Sequence, residues 1–226
     1  MRKPRARLRG FSLSGISDVR HIIKDICETS GRGSKKMRAL DFFAGDGRLL
    51  SHRVLKGYEV EAWDSREEAL SRYVFPEAKK VCGDSFKLAR AATERSYDLI
   101  LIDAPAGPFG DYCEHFEALE AALPLLRDGS TVAFNVFTSP MKYLITQPFH
   151  GGSARNTVRR CVNGDLTEWE GRRRRYYGAE FSFLEDYIGW YCSLFKSRGY
   201  AVKGYETERR LPGVWLASFS LKRSGA

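Results

Sequence analysis

Four aspartates stand at the ends of short apolar runs in the first half of the chain: Asp41 after Ala39-Leu40, Asp64 after Val60–Trp63, Asp84 after Lys80–Gly83 and Asp103 after Leu99–Ile102. A carboxylate at the carboxyl end of a parallel strand faces a ligand crevice, where it accepts hydrogen bonds from ammonium, hydroxyl or amino groups. Asp41 opens the run Asp41-Phe42-Phe43-Ala44-Gly45-Asp46-Gly47, whose glycines let backbone approach a ligand with no Cβ in the way. Asp64 follows 23 residues later, a spacing at which an acid takes both hydroxyls of a ribose. Gly83-Asp84-Ser85 offers an acceptor for an adenine amino group, and Asp103-Ala104-Pro105 an acid that can orient a nucleophile. Each acid alone also suits a helix N-cap, Asp64 and Asp84 especially. Four in order, at four strand ends, exceed what capping explains.

Strands alternating with helices must carry these acids. Ala39–Phe43, Glu59–Trp63, Lys80–Cys82, Asp98–Ile102 and Thr131–Phe137 read as strands. Helices are predicted over Arg48–Leu55, Arg66–Tyr73, Ser85–Thr93 and Cys113–Leu126, the last bent at Pro124. A further helix, Phe181–Phe195, has Leu184, Tyr187, Ile188, Tyr191 and Phe195 on one stripe, with Gly199 as its C-cap. Two closing strands, Tyr200–Tyr205 and Val214–Leu221, are joined by a connection too short for a helical crossover, so they pair antiparallel. The reading is an α/β fold: a Rossmann-like, seven-stranded, mostly parallel sheet with an antiparallel C-terminal hairpin and helices on both faces.

The chain divides into a basic N-terminal arm and helix over 1–36 and a domain over 37–226, interrupted at 140–178 by a basic insertion with little periodicity. Of the formal charge of +9, residues 1–36 hold ten Lys/Arg against three Asp/Glu, and 140–178 eight against three. The remainder is mildly acidic, so the positive charge is peripheral, which points to a polyanionic partner or to a solvated basic surface. The five cysteines form no C-x-x-C pair and no ligand spacing, which argues against a disulfide framework and a metal site. No apolar run reaches the roughly 18 residues of a membrane span, and no signal core follows the basic start. The expectation is a soluble protein of a reducing, cytoplasmic compartment.

Residues 37–137 with the closing hairpin resemble the core of the class I S-adenosylmethionine-dependent methyltransferases. The Asp-x-Phe-Ala-Gly-x-Gly form of Asp41–Gly47 is similar to the version common among nucleic-acid methyltransferases. The resemblance covers about two thirds of the chain and is specific for the cofactor rather than the substrate. It implies that S-adenosylmethionine is bound with its methionine part among Asp41, Phe43, Ala44, Gly45 and Gly47, its ribose on Asp64, its adenine at Asp84 and Ser85, and Asp103 nearby. An NAD site fits less well, because the first turn lacks the third glycine of Gly-x-Gly-x-x-Gly.

The reaction centre is compared with four patterns. Amino methyltransferases of nucleic acids carry Asp/Asn-Pro-Pro-aromatic after the fourth strand; here Asp103, Pro105 and, further along, Phe109 supply part of it. The cytosine carbon-5 enzymes need cysteines where this chain has Ala106 and Asn135–Ser139, which removes the thiolate that chemistry requires. Ribose 2′-O enzymes use a Lys-Asp-Lys-Glu set, for which Lys24, Asp103 and Glu206 or Glu208 are candidates, with Asn135 in place of the second lysine. Aminopropyltransferases share the fold but select a polycationic amine with acidic pockets, which two basic segments oppose. His115 is a possible base in any scheme, or a residue of an exposed helix face.

Arg155, Arg159 and Arg160, then Arg172, Arg173, Arg174 and Arg175 with Tyr176 and Tyr177, combine cations with aromatics, the mixture that phosphate neutralisation and base stacking require. The expected partner is nucleic acid, RNA ahead of DNA. A non-catalytic nucleic-acid-binding subunit, or a small-molecule enzyme, is the alternative.

Overall fold

The computed structural model describes residues 36–48, 50–92, 96–103, 115–138, 166–211 and 213–225; of residues 166–170, 172 and 211 only the backbone is described. Seven strands form one sheet in the order β3-β2-β1-β4-β5-β7-β6. They are β1 (Arg38–Asp41), β2 (Glu59–Asp64), β3 (Lys79–Cys82), β4 (Tyr97–Ile102), β5 (Leu126–Phe137), β6 (Tyr200–Leu211) and β7 (Val214–Arg223). The first five are parallel, and β7 runs antiparallel between β5 and β6. This is the predicted architecture. The hairpin strands are longer than predicted, leaving only two residues between them.

Strand order reverses between β1 and β4, so a crevice opens above their carboxyl ends, the place where open α/β sheets take ligands. The register sets the acids around it. Asp41 is level with Ala62 of β2 and Leu101 of β4, which puts Asp64 and Asp103 two residues further up on either side. Asp64 is level with Cys82, so Asp84 repeats the offset on β3. Ile102 pairs with Phe134, which sets Asn135 of β5 beside Asp103.

The helices are α1 (Ser51–Val54), α2 (Glu67–Ser71), α3 (Ser85–Ala91), α4 (Phe116–Ala122), α5 (Leu166–Tyr177) and α6 (Leu184–Ser197). Pro124 lies in a 3-10 turn, Leu123–Leu125, that ends α4: lacking an N–H, it converts the predicted bend into a stop. Asp128 and Gly129 lie within β5, at an irregularity between the Tyr97–Leu126 and Leu99–Thr131 pairs. On one face of the sheet, α6 buries Tyr187, Ile188, Tyr191 and Phe195 at helical spacing, and Tyr191 and Phe195 pack with Phe134 and Phe219.

Helix α5 corrects the reading of 140–178 as one irregular insertion. Its inward positions are Arg173, Tyr176 and Tyr177, an i, i+3, i+4 set carried by a cation and two phenols instead of aliphatic residues, so hydropathy gives no sign of it. Arg173 is buried, donating to the carbonyl of Phe137 and, at 2.7 Å, to the hydroxyl of Tyr187, with its guanidinium over the Tyr177 and Tyr187 rings. Its neighbour Arg174 is exposed and pairs with Glu180. The arginine run is therefore split by the helix into an anchor and a surface. Arg173→Ala should lower unfolding free energy by about 3 kcal/mol, since it strips a buried cation from its acceptors. Arg174→Ala should cost under about 0.5 kcal/mol. Equal midpoints for the two variants in urea would show that Arg173 is not an anchor.

Candidate active site

The turn after β1 is built by its glycines and by the acid of β2. Gly45 and Gly47 take φ of 53° and 72°, where a side chain is strained. The Gly45 amide donates to Asp64 Oδ2 at 2.8 Å, and the Ala44 amide to the Trp63 carbonyl at 2.9 Å, which tie the turn to β2. A Cβ on Gly47 would lie 2.7 Å from both Tyr73 and Val74. Gly47 thus makes room for Tyr73, whose hydroxyl donates to Asp41 Oδ2 at 2.8 Å. Phe43 stands edge-on to Phe42 and near Phe86 of α3, an apolar wall beside the turn.

Asp41 is fully buried, and its Oδ1 has no hydrogen-bond partner among the described residues. Burial pushes its carboxyl up to about 7; the hydroxyls of Ser51 and Tyr73 oppose that shift, while the charges of Asp103 and Asp64 add to it. Asp64 is buried too, but it is ionically paired: Arg66 reaches its two oxygens through Nε at 3.1 Å and Nη2 at 3.3 Å. Asp84 caps α3, accepting from the amides of Phe86 and Lys87 through Oδ1 alone, and is otherwise exposed. The Ser85 hydroxyl turns inward to the Phe42 carbonyl at 2.5 Å, so that only its backbone and Cβ remain for a ligand.

Asp103 and Asn135, predicted separately, are joined. Asn135 Nδ2 donates to Asp103 Oδ1 at 2.8 Å. A third residue, absent from the sequence prediction, closes the group: Arg210 Nη1 donates to Asp103 Oδ1 at 2.8 Å and to Asn135 Oδ1 at 2.7 Å. Glu208 pairs with Arg53 at 2.9 Å, and burial raises the carboxyl of Glu206. Lys24, Pro105, Phe109, Arg155 and Arg159 lie outside the described residues, as does the side chain of Arg172.

Other predicted residues face the core. Tyr176 lies against Phe116, centroids 4.0 Å apart, and near Trp190, so its ring is spent on packing. His115 is not on an exposed face: it is fully buried, bonded through Nε2 to the Tyr191 hydroxyl at 2.7 Å, and burial pushes it down to about 3, which keeps it neutral. Arg174 and Arg175 are the members of the run with described, exposed side chains.

The crevice above these strands is lined by hydrogen-bond acceptors, which suit a ligand rich in donors. Asp41 offers an oxygen with no partner among the described residues, Asp64 a carboxylate that already accepts from Gly45 and Arg66, and Asp84 a second oxygen unused by its cap. No helix among the described residues is long and apolar enough to cross a membrane.

No family model matches the sequence, and no curated protein matches it significantly. Solved structures do match. The plantazolicin methyltransferase BpumL in complex with SAH superposes with a TM-score of 0.54 at 18% identity, over 91% of this chain and 82% of that one. The plantazolicin methyltransferase BamL in complex with a triazolic desmethylPZN analog and SAH gives 0.52 at 12%, over 91% and 85%. The M. jannaschii TYW2 in complex with AdoMet gives 0.45 at 13%, over 89% and 75%. The chain has the class I S-adenosylmethionine-dependent methyltransferase fold.

The Asp41 carboxyl titrates at about 7 in the folded protein against 3.8 in the unfolded chain, so the folded state binds the extra proton between those values. Stability from this group is complete below about pH 4 and is lost as pH rises to about 7. Asp41→Asn should therefore stabilise the protein by about 2 kcal/mol at pH 8, with the gain fading towards pH 4. A gain independent of pH, or a loss at pH 8, would contradict the buried-carboxylate assignment.

Proposed function

We propose that the protein is an S-adenosylmethionine-dependent methyltransferase acting on nucleic acid, with RNA ahead of DNA. The observation that carries the reading is the buried, half-satisfied carboxylate of Asp41 at the switch point of this fold, beside a glycine turn. S-adenosylmethionine, when bound, supplies a methyl group on a cationic sulfur. Asp41, Phe43, Ala44, Gly45 and Gly47 hold its methionine part, Asp64 its ribose, and Asp84 with the Ser85 backbone its adenine. Asp103 and Asn135 orient the nucleophile, the main task in an in-line displacement.

The substrate class rests on charge. Positive charge is concentrated in 1–36 and 140–178, while the remainder is mildly acidic, and Arg174 and Arg175 stand on the outer side of α5. The aminopropyltransferase reading needs an acidic pocket for a polyamine. Here Asp103 is paired with Arg210 and Asp64 with Arg66, and Asp41, which has no cation among the described residues, is taken by the cofactor in this reading.

Incubation with tritiated S-adenosylmethionine and separate pools of RNA, DNA, protein and small amines should label RNA most. Binding through phosphates makes log affinity fall with log salt, with a slope near −0.7 per contact for single strands. Replacing Arg172, Arg174 and Arg175 with alanine while keeping the anchor Arg173 should flatten that slope by about 1–2. An unchanged slope, with label entering only small amines, would refute the nucleic-acid assignment.

A further inference from the structure

Arg210 lies near the end of β6, shortly before β7 begins, in a stretch that gives no motif. The pairing there is irregular. Arg209 is level with Trp215 and Leu211 with Val214, so Arg210 is an extra residue without a counterpart on β7. Such a bulge re-aims a side chain, and bulges are over-represented next to active sites. This one delivers a guanidinium onto the group at the carboxyl ends of β4 and β5. One nitrogen, Nη1, serves the oxygens of both Asp103 and Asn135, and Asn135 in turn donates to Asp103. The three side chains close a ring of hydrogen bonds. Both charged members are mostly shielded, with side-chain exposures of 19% and 16%.

The ring has two consequences. It fixes the carboxylate plane, because Oδ1 accepts from two donors on two different strands, while among the described residues no hydrogen bond is made to Oδ2. It also carries no net charge, one carboxylate against one guanidinium, with a neutral amide between them. A carboxylate fixed through one oxygen by two donors is a well-aimed acceptor through the other. That chemistry serves an amino nitrogen. Its lone pair forms the bond to the methyl carbon as the carbon–sulfur bond breaks and that electron pair returns to sulfur. The nitrogen becomes cationic and strongly acidic, and its proton passes to water by way of Oδ2. A ribose hydroxyl needs its proton removed, or an unbalanced positive charge beside it, before it attacks. The ring's one cation is balanced by its carboxylate, and an amino nitrogen needs neither.

We propose that Arg210 is a positioning residue of the reaction centre, which holds Asp103 and Asn135 as one acceptor for an N–H group, so that the methylated atom is an amino nitrogen. This rests on the methyltransferase reading above and adds to it both a residue and an acceptor class.

The test uses the full chain, S-adenosylmethionine and an unmodified RNA pool transcribed in vitro. Arg210→Ala should bind S-adenosylmethionine within about twofold of the parent, which also shows that it folds, yet lose on the order of 100-fold in kcat, the scale of a small misplacement of reacting groups. Arg210→Lys should recover part of the loss, since it keeps the charge without the fork, and millimolar guanidinium should partly rescue Arg210→Ala. In the ligand-free protein, the Asn135 side-chain amide resonances should shift in both Arg210→Ala and Asp103→Ala. Mass spectrometry of the labelled nucleosides should find methyl on nitrogen. Unchanged kcat in Arg210→Ala, an alanine variant that guanidinium and lysine both fail to rescue, or methyl on ribose oxygen would overturn the inference while leaving the methyltransferase reading intact. Failure of the parent to bind S-adenosylmethionine would overturn both.

Discussion

The site is organised by one buried carboxyl that has no counter-charge among the described residues. Asp41 ends β1, flanked by β2 and β4, where it is fully buried and accepts a hydrogen bond from Tyr73. Burying an ionised carboxylate is costly, and the carboxyl responds by rising to about 7. Much of the surrounding detail follows from it. Tyr73 must reach over the first turn, so position 47 has to lack a Cβ, and the turn it forms is pinned from the other side by Asp64.

The neighbouring acids are treated differently. Asp64 has Arg66 and Asp103 has Arg210, whereas Asp41 has no cation among the described residues. At the centre of the sheet the crevice is thus short of one positive charge. A ligand that brings a cation to Asp41 relieves its desolvation cost, and one that brings an anion increases it. The electrostatics favour a cationic cofactor over a dinucleotide before any contact is specified.

The framework of this site was legible because strand ends and glycine turns leave local marks. Asp41, Asp64, Asp84 and Asp103 each close an apolar run, and parallel pairing with a constant two-residue offset does the rest. Arg210 was not legible, because a bulge depends on how β6 and β7 pair, and nothing in Glu208–Leu211 distinguishes an aimed arginine from a solvated one. Helix α5 was hidden for a different reason: its buried face is made of Arg173 and tyrosines, which composition assigns to a surface. His115 shows the same limit, since a histidine bonded through Nε2 to a tyrosine hydroxyl inside an aromatic core has no distinguishing sequence context.

The central claim is that Asp41 waits for a cation, and titration calorimetry with S-adenosylmethionine at several pH values tests it most directly. If the claim holds, S-adenosylmethionine binds, its affinity rises several-fold between pH 6 and pH 8 as Asp41 loses its proton, and the rise disappears in Asp41→Asn. No binding at millimolar concentration at any of these pH values, in a protein that binds NAD under the same conditions, would contradict it.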